Sequence, residues 1–221
     1  MLKPFVLGLA LIALFTAGQK AARADEVTVA GYTNGCFNCA APPNSSAPQG
    51  TTLLGLTYSN ATFSGTTAGG FLAFGGNPQV PPTQNVDNLG SFNLSTAPNA
   101  YNGNSFTLRV TFTVPTGING SNTTTFTALL TGTVANATNG GVFIDFNNTP
   151  QTFTFSNASG TGSFNFAVND LAINPGQTAE ITGQITAAQQ SAVPEPATML
   201  LLGTGLAGVA ARIRRRKRTG E

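Results

Sequence analysis

Between residues 25 and 190, apolar side chains alternate with Thr, Asn and Ser at the two-residue period of a strand with one buried face. The run 105–114 is the clearest. Phe106, Leu108, Val110, Phe112 and Val114 fall on one side, and Thr107, Arg109, Thr111 and Thr113 on the other. The same period groups Val142, Ile144 and Phe146, then Phe153 with Phe155, then Phe164, Phe166 and Val168, and finally Ile181 with Ile185. Further strands are predicted at 27–32, 53–58, 61–64, 70–74 and 124–134. The region contains no stretch with the period of an amphipathic helix.

Turn signals separate these runs: Asn102-Gly103, Asn119-Gly120, Asn139-Gly140 and Pro175-Gly176, with Pro78, Pro81 and Pro82 in a longer loop. About ten short strands at this spacing predict an all-β fold, an antiparallel β-sandwich of Greek-key or jelly-roll type. A parallel β-helix is the second fold, and the missing repeat period counts against it. The segment 31–50, dense in Pro, Asn, Ser and Gly, reads as a loop. Of the phenylalanines, 14 lie outside the first 24 residues, mostly at inward positions where core packing is their role.

The two ends follow other rules. Residues 1–24 read as a signal helix: Lys3 is the positive start, 5–15 the apolar stretch, and Ala22-Arg23-Ala24 a small-x-small cleavage site with Ala22 and Ala24 as its small positions. Signal peptidase is the implied partner; a retained N-terminal anchor is the alternative. At the other end Pro194-Glu195-Pro196 precedes an apolar stretch at 197–211 and the basic cluster Arg212, Arg214, Arg215, Arg216, Lys217 and Arg218. The prolines stop a helix on their N-terminal side. The stretch behind them would form a transmembrane helix of about 22 Å, short of the ~30 Å hydrocarbon core. Snorkelling arginines make up part of the difference. Cations just past a span stay cytoplasmic, which places the β domain outside.

Charge is segregated accordingly. The formal +2 of the chain conceals a middle, 25–193, in which Arg109 is the one cation against six acids, a net charge of −5. Such a surface cannot neutralise a phosphate backbone, so nucleic acid is excluded as a partner. That middle, 169 residues, is long enough to bury roughly 70% of its unfolded surface without help from disulfides.

The tail at 191–221 closely resembles the PEP-CTERM sorting signal, which some classifications label the ice-binding-protein C-terminal region. Triplet, small-residue span and Arg cluster match it in order and spacing. The resemblance implies that an exosortase-like membrane protease cuts near the motif. The protein would be held transiently in the inner membrane, C-terminus cytoplasmic, and then reach the cell surface or the extracellular space, in bacteria that make exopolysaccharide. A plain C-terminal anchor is the alternative. Within the same tail Gly203-Thr204-Gly205-Leu206-Ala207-Gly208 spells a dinucleotide fingerprint, but no βαβ unit surrounds it. Close helix packing in lipid accounts for those glycines.

The chemistry open to the β domain is narrow. The chain has no histidine, which removes Ser-His-Asp and Cys-His nucleophile activation. Lysine is absent from the middle, which removes Schiff-base and P-loop chemistry. A carboxylate pair for glycoside hydrolysis would have to come from Asp87, Asp145, Asp170 and Glu180, and nothing places two of them together. Cys36-Phe37-Asn38-Cys39 precedes Ala40-Ala41-Pro42-Pro43, which forbids the helix that a redox-active pair opens. Zinc would need more ligands than these two. A local disulfide between Cys36 and Cys39 is expected after export. Asp145, Asn147 and Asp170 offer oxygen ligands of the kind calcium takes, without a binding loop, so no metal or other cofactor is assigned.

The expectation is therefore an exported, non-catalytic structural or interaction protein of the cell surface or matrix, linked to exopolysaccharide or biofilm. The alternative is a carbohydrate-binding β-sandwich module, with ice a further candidate ligand. Against sugars stand the absence of Trp and the presence of only Tyr32, Tyr58 and Tyr101 as stacking rings. T-x-T fragments at Thr111/Thr113 and Thr152/Thr154 are ordinary on an exposed sheet face. Triplets such as Asn136-Ala137-Thr138 and Asn157-Ala158-Ser159 open glycosylation as a hypothesis.

Overall fold

A computed structural model describes residues 23–24, 26–43, 51–75, 85–192 and 202–209. Strands are numbered in chain order. One sheet runs β13 (Gln151–Asn157), β14 (Gly160–Val168), β17 (Gly183–Ala192), β6 (Leu72–Phe74), β7 (Asn85–Val86), with β1 (Arg23–Ala24) also on β17. A second runs β15 (Leu171–Ile173), β12 (Gly140–Phe146), β11 (Thr123–Val134), β10 (Asn104–Val114), β2 (Thr28–Phe37), β5 (Thr62–Thr66), with β9 (Asn99–Ala100) beside β11. A third, smaller sheet runs β16 (Thr178–Glu180), β8 (Ser91–Leu94), β4 (Leu56–Ser59), β3 (Thr51–Leu53). Pairing is antiparallel throughout, except between β6 and β7. The described residues are mostly β, in sheets that are antiparallel but for that one pair, which rules out the β-helix alternative.

Two aromatic clusters join the sheets, and β10 supplies the centre of each. Phe112 lies 4.9 Å from Phe153, 5.2 Å from Phe164 and 5.4 Å from Phe166 of the first sheet, and 5.5 Å from Phe63 of its own. Phe106 lies 4.8 Å from Phe92 and 5.0 Å from Tyr58 of the third sheet, and 5.0 Å from Phe37. The rings meet mostly edge to face, the geometry their quadrupoles favour, adding roughly 0.5–1.5 kcal/mol per pair beyond area burial. All of these rings except Phe37 are buried.

β2 makes room for the rings by omitting side chains. Its inner face carries Val29, Gly31, Thr33, Gly35 and Phe37, alternating as the pleat requires. A Cβ on Gly31 would stand 2.6 Å from Phe63 Cζ, and one on Gly35 would stand 2.7 Å from Tyr58 Cε1 and closer still to the Phe106 ring. Thr33 is polar yet fully buried, and its hydroxyl is satisfied. It accepts from the Tyr58 phenol at 2.8 Å and from Ala61 N at 3.1 Å, and donates to Ala61 O at 3.3 Å. Burial pushes the Tyr58 phenol far above its ordinary range, partly offset by the Thr33 hydrogen bond.

The predicted faces of 105–114, 142–146, 153–155 and 164–168 are the buried ones, apart from Val114, which is half-buried. Three expectations change. The segment 31–50 is not loop from its start: β2 continues through Phe37, paired with β10 as far as Phe106. The glycines that looked like loop residues are gaps for rings. The run 53–58 is two strands, because Leu54 and Gly55 both take positive φ (50° and 83°) and form a two-residue hairpin turn between β3 and β4. Ile181 is buried but precedes β17 instead of lying in it. The proline loop at 78–82 falls outside the described residues.

Gly35→Ala should lower unfolding free energy by roughly 1–3 kcal/mol through overpacking. Gly35→Ala/Phe106→Leu should lose less than the two single losses added, because a shorter side chain frees the space. Urea denaturation of the four proteins measures this; strict additivity would show that the glycine and the ring are not in contact.

Candidate functional site at the processing junction

Four places in the described structure carry the residues singled out above. The first is the Cys36–Cys39 segment, at the end of β2. The two sulfurs are bonded, 2.08 Å apart. Asn38 between them adopts φ 52° and is stitched to the start of β10. Its N–H donates to Ser105 O at 3.0 Å, its Oδ1 accepts from Ser105 N at 2.8 Å, and its Nδ2 donates to Asn104 Oδ1 at 2.8 Å. Arg109 donates from Nη1 to Pro43 O at 2.8 Å, tying the following segment back over the outer face of β10. The sole cation of the middle region thus has a structural employment.

The carboxylates stand apart in role. Asp87, Asp145 and Glu180 are exposed. Asp170, just before β15, accepts at Oδ1 from Phe146 N at 2.8 Å and from Asn148 Nδ2 at 3.2 Å, closing the turn where β12 ends. Asn147 Oδ1 accepts from Thr149 N at 3.1 Å. Two of the three oxygen donors considered for calcium are therefore occupied locally, and among the described residues no group of three or more His, Cys, Asp or Glu side chains is placed to hold a metal.

Surface rings are the third place. Tyr58 and Tyr101 are fully buried and Tyr32 is half-buried, so the tyrosines do not supply a flat exposed platform. Phe143 does. It is 43% exposed on the outer face of β12, beside Leu129 of β11 at 61%. Phe143 pairs in register with Thr131, and Asp145 with Leu129. The alternation Val142, Ile144, Phe146 had already placed Phe143 outward, which was the available signal.

The fourth place gathers the two ends of the β body. Arg23 and Ala24 form β1 and pair with Ser191 and Gln190 near the end of β17. Glu26, Thr28 and Gln190 line one open recess of about 340 Å³, with Pro115, Asn157 and Ser159. The start of the β body and its end therefore leave from one pole. β2, ten residues long, carries the chain from that recess to the disulfide, roughly 30 Å away at strand rise. Beyond β17, residues 202–209 form a helix in which Leu202, Leu206 and Val209 are 56%, 63% and 59% exposed. Among the described residues no helix is long and apolar enough to cross a membrane. Ala22, Pro194, Glu195, Pro196 and the cluster Arg212, Arg214, Arg215, Arg216, Lys217 and Arg218 lie outside the described residues, as does most of the signal segment.

The sequence profile of the PEP-CTERM protein-sorting motif matches residues 192–216. It begins on the last residue of β17 and takes in the triplet, the apolar stretch and most of the basic cluster. The match points to exosortase-dependent sorting of an exported protein, an exosortase being a membrane protease. Neither the curated proteins nor the solved structures contain a match to the chain.

Asp170→Ala should cost about 1 kcal/mol by leaving Phe146 N and the Asn148 amide without their acceptor. Asp145→Ala, on an open strand face, should stay within about 0.5 kcal/mol of the parent. Denaturant midpoints of the two variants check this; equal effects would show that the Asp170 hydrogen bonds contribute nothing.

Proposed function

We propose that this is an exported, non-catalytic cell-surface or matrix protein. Its β body is delivered by signal-peptide removal and by an exosortase-type cut at Pro194-Glu195-Pro196. The observation that carries the reading is the motif match at 192–216, directly abutting β17. Charge supports it from both ends: the cations crowd before residue 24 and after residue 211, while the middle carries one. Lys3 precedes the first apolar stretch and the cluster at 212–218 follows the last, so each stretch keeps a basic flank on the cytoplasmic side, and a body whose two ends emerge at one pole hangs outward from them. The helix at 202–209 exposes Leu202, Leu206 and Val209, apolar side chains that lipid would solvate.

The non-catalytic part of the reading is supported by residue types: no histidine, no lysine in the middle, and, among the described residues, carboxylates that are exposed or engaged in a turn. The edge-to-face packing of rings between the two larger sheets supports a sandwich. The neighbouring of β10 and β2, far apart in sequence, supports a Greek-key path. Destination, weak charge and Thr/Asn-rich outer faces favour association with exopolysaccharide in the matrix. A second reading, a carbohydrate-binding module, is favoured by Phe143 alone, since an exposed flat ring suits a sugar face.

In cells holding the processing protease, the wild-type body should be recovered outside the membrane without residues 212–218. A Pro194→Ala/Glu195→Ala/Pro196→Ala variant should stay membrane-bound and full-length at its C-terminus. Fractionation with C-terminal mass measurement decides; identical release of both proteins would sink the sorting reading. For the second reading, the purified body should bind a neutral polysaccharide in affinity electrophoresis and lose that retardation on Phe143→Ala. No retardation of the parent protein removes the carbohydrate reading.

A further inference from the structure

The sequence holds four Asn-Gly pairs: Asn34-Gly35, Asn102-Gly103, Asn119-Gly120 and Asn139-Gly140. An Asn followed by Gly can cyclise on itself, because glycine has no side chain to keep its amide nitrogen away from the neighbouring side-chain carbon. The local chemistry is the same at all four, so the fold decides which of them reacts. Reaction needs a side-chain amide that nothing holds and a glycine N–H that is not tied into a ladder. Asn34 is fully buried in β2, in register with Arg109 of β10. Asn102 Oδ1 accepts from Gly132 N at 2.8 Å, which pins that side chain to β11. Asn119 is held twice by Thr154: its N–H donates to the carbonyl at 2.8 Å and its Nδ2 to the hydroxyl at 3.2 Å.

Asn139, in the turn between β11 and β12, differs. Its backbone is fixed: the N–H donates to Asn136 Oδ1 at 2.9 Å, and the carbonyl accepts from Ala135 N at 3.0 Å. The residue is exposed, and among the described residues no hydrogen bond reaches its side-chain amide. The bond from Ala135 to Asn139 makes them a hydrogen-bonded pair, so Val134 and Gly140, next along the hairpin, are a non-hydrogen-bonded pair. Gly140 N–H therefore points away from β11, and on that side β15 meets β12 only from Val142 onward.

We propose that Asn139 is a site of spontaneous deamidation, with water as the only co-reactant. Gly140 N attacks Asn139 Cγ. The new N–C bond closes a five-membered imide, and the side-chain amino group leaves with the glycine proton as ammonia. Water then opens the imide at either carbonyl, leaving an aspartate or an isoaspartate linkage at position 139. Either product adds one negative charge to the turn. The isoaspartate also lengthens the main chain by a methylene at the residue whose carbonyl holds Ala135 N, which loosens the end of the hairpin. The inference goes beyond the sorting reading and does not depend on it.

The test holds the purified full chain in mildly alkaline buffer, once folded and once unfolded in guanidinium, and samples both over days. Peptide mass measurement follows conversion of amide to acid at each Asn-Gly pair, and enzymatic methyl labelling counts isoaspartate. Unfolded, all four pairs should convert at similar rates, because only local chemistry remains. Folded, Asn139 should convert roughly fivefold or more faster than Asn34, Asn102 or Asn119, the factor set by having to break one net hydrogen bond first. Asn139→Gln, a change at an exposed position, should abolish conversion there and leave the other three pairs as they were. Conversion of Asn102 or Asn119 in the folded chain as fast as that of Asn139 would overturn the assignment. So would a folded chain that keeps its Asn139 amide while the unfolded chain loses it, since the turn would then protect the residue it is argued to expose.

Discussion

Phe106 and Phe112 sit on the same face of β10, six residues and about 20 Å apart. One packs against the third sheet and the other against the first. Because a single strand anchors both contacts, the three sheets are held at spacings set by the pleat of β10 and the width of an aromatic ring. Everything else in the body accommodates those two rings. β2 gives up side chains at Gly31 and Gly35. Gly162 does the same opposite Phe155, and Gly183 opposite Leu89. Tyr58, drawn into the core by the Phe106 cluster, needs an acceptor for its phenol and finds it in buried Thr33. A core of rings interlocked with glycines tolerates neither a larger residue at the gaps nor a smaller one at the knobs.

With the interior so committed, the exterior is left to Thr, Asn and Ser, and the few ionisable groups act one at a time. Arg109 holds a carbonyl, Asp170 closes a turn, and Asp87, Asp145 and Glu180 are exposed. The fold brings Arg23–Ala24 and the end of β17 to one pole while the disulfide-pinned segment stands at the opposite end of β2.

Much of this was legible in the residue order. Alternation identified the strands and their buried faces because a pleated strand repeats every two residues whatever its neighbours are. The Pro-Glu-Pro tail with its apolar and basic segments pointed to sorting of an exported protein, as the motif match at 192–216 does, because such signals are contiguous stretches of chain. The sequence also made Phe143 outward, by parity with Val142 and Ile144. It could not distinguish the glycines of a loop from the glycines of a packed strand, so 31–37 read as loop: the need for a gap at Gly35 exists only once Phe106 and Tyr58 arrive from 71 and 23 residues away. The division into three sheets, the fate of each tyrosine and the adjacency of Arg23–Ala24 to Gln190–Ser191 were likewise decided by tertiary structure. Periodicity and charge are local, one-dimensional properties that a chain carries before it folds; which strand lies beside which, and what a ring presses against, depend on contacts between distant segments that no local pattern encodes.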